Sequence, residues 1–209
     1  DSQGYYAELK TFKFYISDIK LIAEDGRVES FSDVELVDFD GTENGGSSNY
    51  QSSLTKIISK GNYDQLQLSF GLPANLNATD PTTEPNKSPL STLSGLHWNW
   101  ADMFVFIMFE AGVDTNLDQT IDGNIAFHTG LDSSFRPEKE YPMTFNLEAF
   151  AKDTIRVIID WNKLFPVSGD DAIDLDLLPF YHANTDAEAL EMTRKFTDNF
   201  VQSISVKAN

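Results

Sequence analysis

Eight consecutive residues, Met103 to Glu110, read MFVFIMFE. A run so dense in Phe, Val and Ile cannot lie in water, and its length suits a buried strand. It sits inside a longer stretch, Gly95 to Gly130, that holds two of the three tryptophans and two of the three histidines of the chain. An Asp-rich turn follows the run, and a second strand, Asn124 to His128, ends in Phe127-His128-Thr129-Gly130. Pairing the two strands as a hairpin fixes which side chains share a face, because alternate residues point to opposite sides. Parity puts Trp98 and Trp100 together and turns His97 away from them. Whether His128 joins the tryptophans depends on the register.

The same period of two recurs along the chain. Tyr5 to Ala23 places Phe12, Phe14 and Ile16, then Ile19 and Leu21, as the apolar members of one long strand with a bulge near Ser17-Asp18 and a turn at Asp25-Gly26. Phe31 to Phe39, Tyr63 to Phe70, Tyr141 to Leu147 and Thr154 to Trp161 read as further strands. Asp40 to Ser53 is a Gly, Asn and Ser-rich surface loop, and residues 72 to 93 form a long Pro-containing connection of the kind that serves function or is clamped. From Asp186 to Ile204 the apolar residues Ala189, Leu190, Met192, Phe196 and Phe200 fall at helical spacing, with Thr185 or Asn184 as the N-cap. The chain of 209 residues is expected to form a single domain over 1–209, all-β, a mostly antiparallel β-sandwich with long loops and one C-terminal helix.

Charge narrows the function. With 15 Lys plus Arg against 33 Asp plus Glu, the net charge is −18, a field that repels phosphate backbones and anionic headgroups and attracts cations. Nucleic-acid and membrane-surface binding are therefore not expected. High net charge also serves solubility alone. The chain has no cysteine, which removes disulfides, thiolate zinc sites and cysteine nucleophiles. No run approaches the roughly 20 apolar residues of a membrane helix, so no transmembrane segment is expected. The small polar start, Asp1-Ser2-Gln3-Gly4, looks like that of a processed chain whose leader or lipid-anchoring segment has been removed.

Four segments carry a resemblance. FYISDIKL from Phe14, LSFGLPANLN from Leu68, HWNWADMFVFIMFEAG from His97 and FHTG from Phe127 occur in the order found in the MbnP-like family of exported bacterial copper-binding proteins. The likeness covers residues 12 to 130, and His182 followed by the final helix is similar to the family's ending. It implies an exported, periplasmic or cell-surface-anchored protein that binds a metal and is not an enzyme. For the copper-binding members it implies a mononuclear copper site of imidazoles with a tryptophan oxidised to kynurenine, a di-haem cytochrome c peroxidase-like partner that carries out the oxidation, and an outer-membrane protein as a second candidate partner. Carried over by position, Trp98 or Trp100 matches the modified tryptophan, His128 the second-strand histidine, and His97 or His182 a further ligand. Where related copper proteins have Trp-x-His, this chain has Trp98-Asn99-Trp100. The plain alternative is that Trp98, Trp100 and His128 are core and strand-end residues whose polar atoms the backbone satisfies.

A second metal reading comes from the acidic turn. Asp114, Asn116, Asp118, Thr120 and Asp122 put oxygen donors at positions 1, 3, 5, 7 and 9 of a loop, as calcium loops do. Gln119 at position 6 and Ile125 at position 12 depart from that pattern, and Asp, Asn and Gly are also ordinary turn residues. Enzyme signatures are lacking: there is no Gly-x-Ser-x-Gly elbow and no phosphate-cradling Gly-rich loop. The competing function is a cell-envelope interaction module that docks a protein or a glycan, with structural calcium and no copper.

Overall fold

The computed structural model describes residues 6–39, 53–99, 101–183 and 186–208. Ten strands and three helices are found among them. They run β1 (Tyr6–Ala23), β2 (Val28–Asp38), β3 (Gly61–Phe70), α1 (Ala74–Asn77), β4 (His97–Trp98), β5 (Met103–Asp114), β6 (Gly123–Gly130) and β7 (Arg136–Leu147). Then come β8 (Ile155–Ile159), α2 (Trp161–Leu164), β9 (Phe180–His182), α3 (Ala187–Ser203) and β10 (Ile204–Ala208). The expected class, all-β and mostly antiparallel with one long C-terminal helix, is the one observed.

β1 is the shared strand. Along one edge it pairs with β2 over Lys13 to Ile22, while its other edge is divided, Tyr6 to Phe14 facing β5 and Ile16 to Ala23 facing β3. The changeover falls at Tyr15; a few residues on, Asp18 has a left-handed φ of 50°, and the ladders to β3 and β2 shift register between Ser17 and Lys20. An extra residue in a strand reverses the parity of everything beyond it. Phe12, Phe14 and Ile16 therefore point inward before the bulge, and Ile19, Leu21 and Ala23 after it. From β3 the sheet continues to β7, and from β5 it continues through β6 to β9. The β6–β9 pair is parallel, with Ala126 opposite Phe180 and His128 opposite His182.

The inner face holds the larger core, closed by α3 and by the β8–β10 ribbon. Phe200 lies 4.9 Å from Phe14 and 5.4 Å from Phe70 between ring centroids, and Phe196 stacks on Phe127 at 4.5 Å. Two boundaries differ from the sequence reading. The helix is capped by Asp186, whose side chain accepts from Ala189 N at 2.9 Å, in place of Thr185 or Asn184, which lie outside the described residues. Trp161 does not end β8. Asp160 accepts from Asn162 N and turns the chain into α2, so the indole packs 5.4 Å from Phe12 on the inner face. The reading of a surface loop at 40–53 falls on residues outside those described, apart from residue 53.

A second, smaller core lies on the outer face. There residues 72–98 fold back over β1 and β5, burying Leu72, Leu90 and Leu96 against Tyr15, Phe104 and Phe106. Buried polar anchors fix this cover. Tyr15 Oη donates to Pro89 O at 2.9 Å, Asn77 Oδ1 accepts from Phe104 N at 2.9 Å, and Val105 N donates to Leu96 O at 2.7 Å. Burial pushes the Tyr15 phenol up from 10.0 to about 12.

That shift has a stability consequence. A group whose pKa is higher in the folded state stabilises it fully below the unfolded value and loses the contribution as pH rises through the folded value. We expect alkaline destabilisation between pH 10 and about 12, worth on the order of 2–3 kcal/mol for Tyr15. Tyr141, also raised by burial to about 12, adds to it. Chemical denaturation across this range should show the slope, and Tyr15→Phe should flatten it. A stability curve that stays level to pH 12 would contradict the assignment.

Candidate functional site

Alternation on β5 turns Phe104, Phe106, Met108 and Glu110 to the outer face and Ile107, Phe109, Ala111 and Val113 to the core. β5 and β6 pair Met108 with His128 and Glu110 with Ala126, and the parallel β9 then sets His182 beside His128. Cross-strand partners share a face, so Lys13, Met108, His128 and His182 form one outward row across four strands. Lys13 is neutralised by Asp38, 2.8 Å away on β2.

The two imidazoles are in contact, with ring centroids 4.2 Å apart and planes tilted by 56°. His128 is only 7% exposed. Its Nε2 lies 2.8 Å from Glu110 Oε1. An ionised carboxylate can only accept, so Nε2–H donates and the neutral ring keeps its lone pair at Nδ1. His182 Nε2 is buried with no hydrogen-bond partner. Burial pushes the pKa of His128 below the ordinary imidazole value, the neighbouring His182 adds to the effect, and Glu110 opposes it. Burial lowers His182 as well, against Glu110. Both rings are therefore neutral near pH 7, the form that ligates metals. Two adjacent neutral imidazoles, one with an unpartnered buried nitrogen, suit a borderline or soft transition metal such as copper. No three His, Asp or Glu side chains converge as a metal cluster among the described residues.

Trp98 reaches the same face. A Cβ built on Gly130 would meet its Cζ3 at 2.6 Å and its Cη2 at 3.0 Å, with Phe104 O also at 3.0 Å, so the six-membered ring of the indole rests against the glycine. Gly130 is two residues beyond His128 on β6, about 7 Å along the strand and pointing the same way. The register thus puts His128 with Trp98. Trp100 lies outside the described residues. His97 turns the other way, its ring 5.0 Å from Phe104, and lines a separate cavity with Asp80, Thr92, Asn99 and Asp102. Trp98 and Trp161 occupy opposite faces of the sheet, so these two indoles form no common stacking platform for a glycan.

The acidic hairpin loop is closed on itself. Asp114 accepts from Asp118 N and Gln119 N, Asn116 from Asp118 N, Asp118 from Thr120 N, and Asp122 from the amide and hydroxyl of Thr115. Leu117 and Gln119 take left-handed φ of 64° and 68° to make these turns. The oxygens picked out in the sequence are thus engaged with the loop's own donors, Thr120 contributing its amide.

Glu110 escapes the sequence reading. Its only signal is that it is the one charged residue ending an apolar strand, at the same parity as Met108.

Fold and site together define a mostly antiparallel β-sheet scaffold carrying a pair of imidazoles on its outer face. The sequence profile of the MbnP family matches residues 3–187, and the chain belongs to that family. Among solved structures, MbnP from Methylosinus trichosporium is similar, with a TM-score of 0.55 and 16% identity over 97% of this chain and 88% of that one. That likeness concerns the fold. No curated protein sequence matches the chain.

The close fit at Gly130 gives a test. Gly130→Ala should displace Trp98, cost roughly 1–3 kcal/mol and change the tryptophan emission. An unchanged spectrum and stability would mean that the indole does not rest there.

Proposed function

We propose that the protein is an exported copper-binding protein of the MbnP kind, with His128 and His182 as its imidazole ligands. The observation that carries this reading is the in-register His128–His182 pair, whose rings lie 4.2 Å apart with His182 Nε2 buried and unpartnered. A buried polar atom without a partner costs about 1–3 kcal/mol, and a bound ion removes that cost. In this arrangement Glu110 fixes the orientation and tautomer of His128, as carboxylates do for metal-bound imidazoles. Met108 lies in the same cross-strand row. Bound copper would supply a site for holding or passing a single electron. The chain's residues select, shield and orient it.

Trp98, against Gly130 on the same face, is the tryptophan positioned for oxidation to kynurenine in this reading, and a di-haem cytochrome c peroxidase-like enzyme is the partner that would carry it out. Leu177 and Phe180, 77% and 62% exposed and next to His182 in sequence, offer an apolar surface on which an envelope partner could dock. That favours docking of a protein partner, without copper, as the second reading. Calcium in the acidic loop would then be structural.

Copper titration of the purified chain decides between them. We expect one equivalent per chain in the wild type, loss of it in His128→Ala and His182→Ala, and roughly 10- to 100-fold weaker binding in Glu110→Gln. Protein isolated with its native partners should show the mass gain of one indole carbon replaced by oxygen, mapped to Trp98. Copper binding unaffected by either histidine substitution would overturn the assignment.

A further inference from the structure

His97 belongs to neither the paired-imidazole row nor the core. It closes one wall of a cavity of about 390 Å³ that is also lined by Asp80, Thr82, Thr92, Asn99 and Asp102, none of which takes part in the His128–His182 site. Its side chain is only 10% exposed. Nδ1 lies 3.3 Å from Asn99 Oδ1, an acceptor, so Nδ1 carries the proton and the lone pair of the neutral ring is at Nε2. Nε2 is buried and has no hydrogen-bond partner. The nearest charged group is the Asp102 carboxylate, with Oδ1 at 3.7 Å. A cation standing between them would satisfy both the buried lone pair and the carboxylate.

We propose that His97 and Asp102 form a second, separate divalent-metal site, taking a zinc-like cation with water completing its shell. The spacing suits this. Two ligands each 2.0–2.2 Å from a tetrahedral ion lie about 3.4 Å apart, whereas a direct N–H···O bond would be nearer 2.9 Å. Asp102 is 95% exposed and sits at a left-handed φ of 52°, so its carboxylate can swing onto an ion entering from solvent. Asp80 adds negative charge to the same cavity. Its carboxylate is held by Thr82 N and Oγ1 at 2.9 and 2.7 Å, which leaves it to act through bound water. Asn99 orients the ring as an outer-shell acceptor does for a ligand imidazole. The donor set, one imidazole and one carboxylate with open positions, points to moderate affinity and an exchangeable ion.

The test uses zinc chloride and the full chain. Imidazole ¹⁵N spectra resolve three histidines, with His97→Gln identifying the resonance in question. The expected result is a zinc-dependent shift of His97 Nε2, together with one fewer zinc equivalent by equilibrium dialysis in Asp102→Asn than in the wild type. Asp102 is exposed, so that variant should keep the wild-type melting temperature and unaltered shifts at His128 and His182. Two results would overturn the site: His97 resonances unmoved by millimolar zinc, or equal zinc stoichiometry in wild type and Asp102→Asn. Metal-independent protonation of both His97 nitrogens at neutral pH would likewise reduce the contact to an ion pair.

Discussion

The reversal of parity at Asp18 is the constraint on which the rest depends. β1 is long enough to serve two strand neighbours along one edge, but a strict alternation would send half of its apolar residues to the wrong side. One extra residue at the bulge keeps Phe12, Phe14 and Ile16 and then Ile19, Leu21 and Ala23 all inward. β5 pairs with Tyr6 to Phe14, ahead of the bulge, where the inward Phe12 and Phe14 stand opposite Phe109 and Ile107, so this register turns the even-numbered residues of β5 outward. The positions of Met108, Glu110 and His128 follow from it.

The outer face becomes a site only where its cover stops. Residues 72–98 bury the start of β5 through Leu72, Leu90 and Leu96, held by Tyr15 and Asn77, and the last residue of that cover is Trp98. On the same face runs the cross-strand row of Lys13, Met108, His128 and His182, of which Met108 packs against the edge of this cover. The large indole of Trp98 ends the cover against Gly130. Gly130 is the residue whose missing side chain lets it lie there. His182 on the neighbouring strand, with its ring 4.2 Å away, helps to bury His128, and burial favours its neutral imidazole.

Local patterns in the sequence carry most of this. The bulge near Ser17-Asp18, the strand at Met103, the hairpin across the acidic turn and the amphipathic helix are all legible from periods of two and 3.6. What could not be read is the β6–β9 pairing. β9 has three residues, its partner in the sheet lies some fifty positions earlier, and no periodicity can be measured over so short a run. His128 and His182 were both candidates, yet only that parallel contact brings their rings together. Glu110 was hidden because a single carboxylate at the end of an apolar strand reads as a solvent-facing terminus.

His97 and His128 show how little a residue's type decides by itself. Each is nearly buried, and each has a carboxylate close to Nε2. For His128 the separation is 2.8 Å, the proton lies on Nε2 toward Glu110, and the free lone pair is at Nδ1. For His97 the carboxylate stands off at 3.7 Å, Asn99 Oδ1 accepts from Nδ1–H, and the lone pair is turned toward the anion. In the first case the carboxylate orients the ring for something else to bind. In the second, under the proposal made above, it is a co-ligand of the cation the ring would hold. Opposite placement of one proton thus gives two imidazole–carboxylate pairs opposite roles in the two proposals, which share no residue.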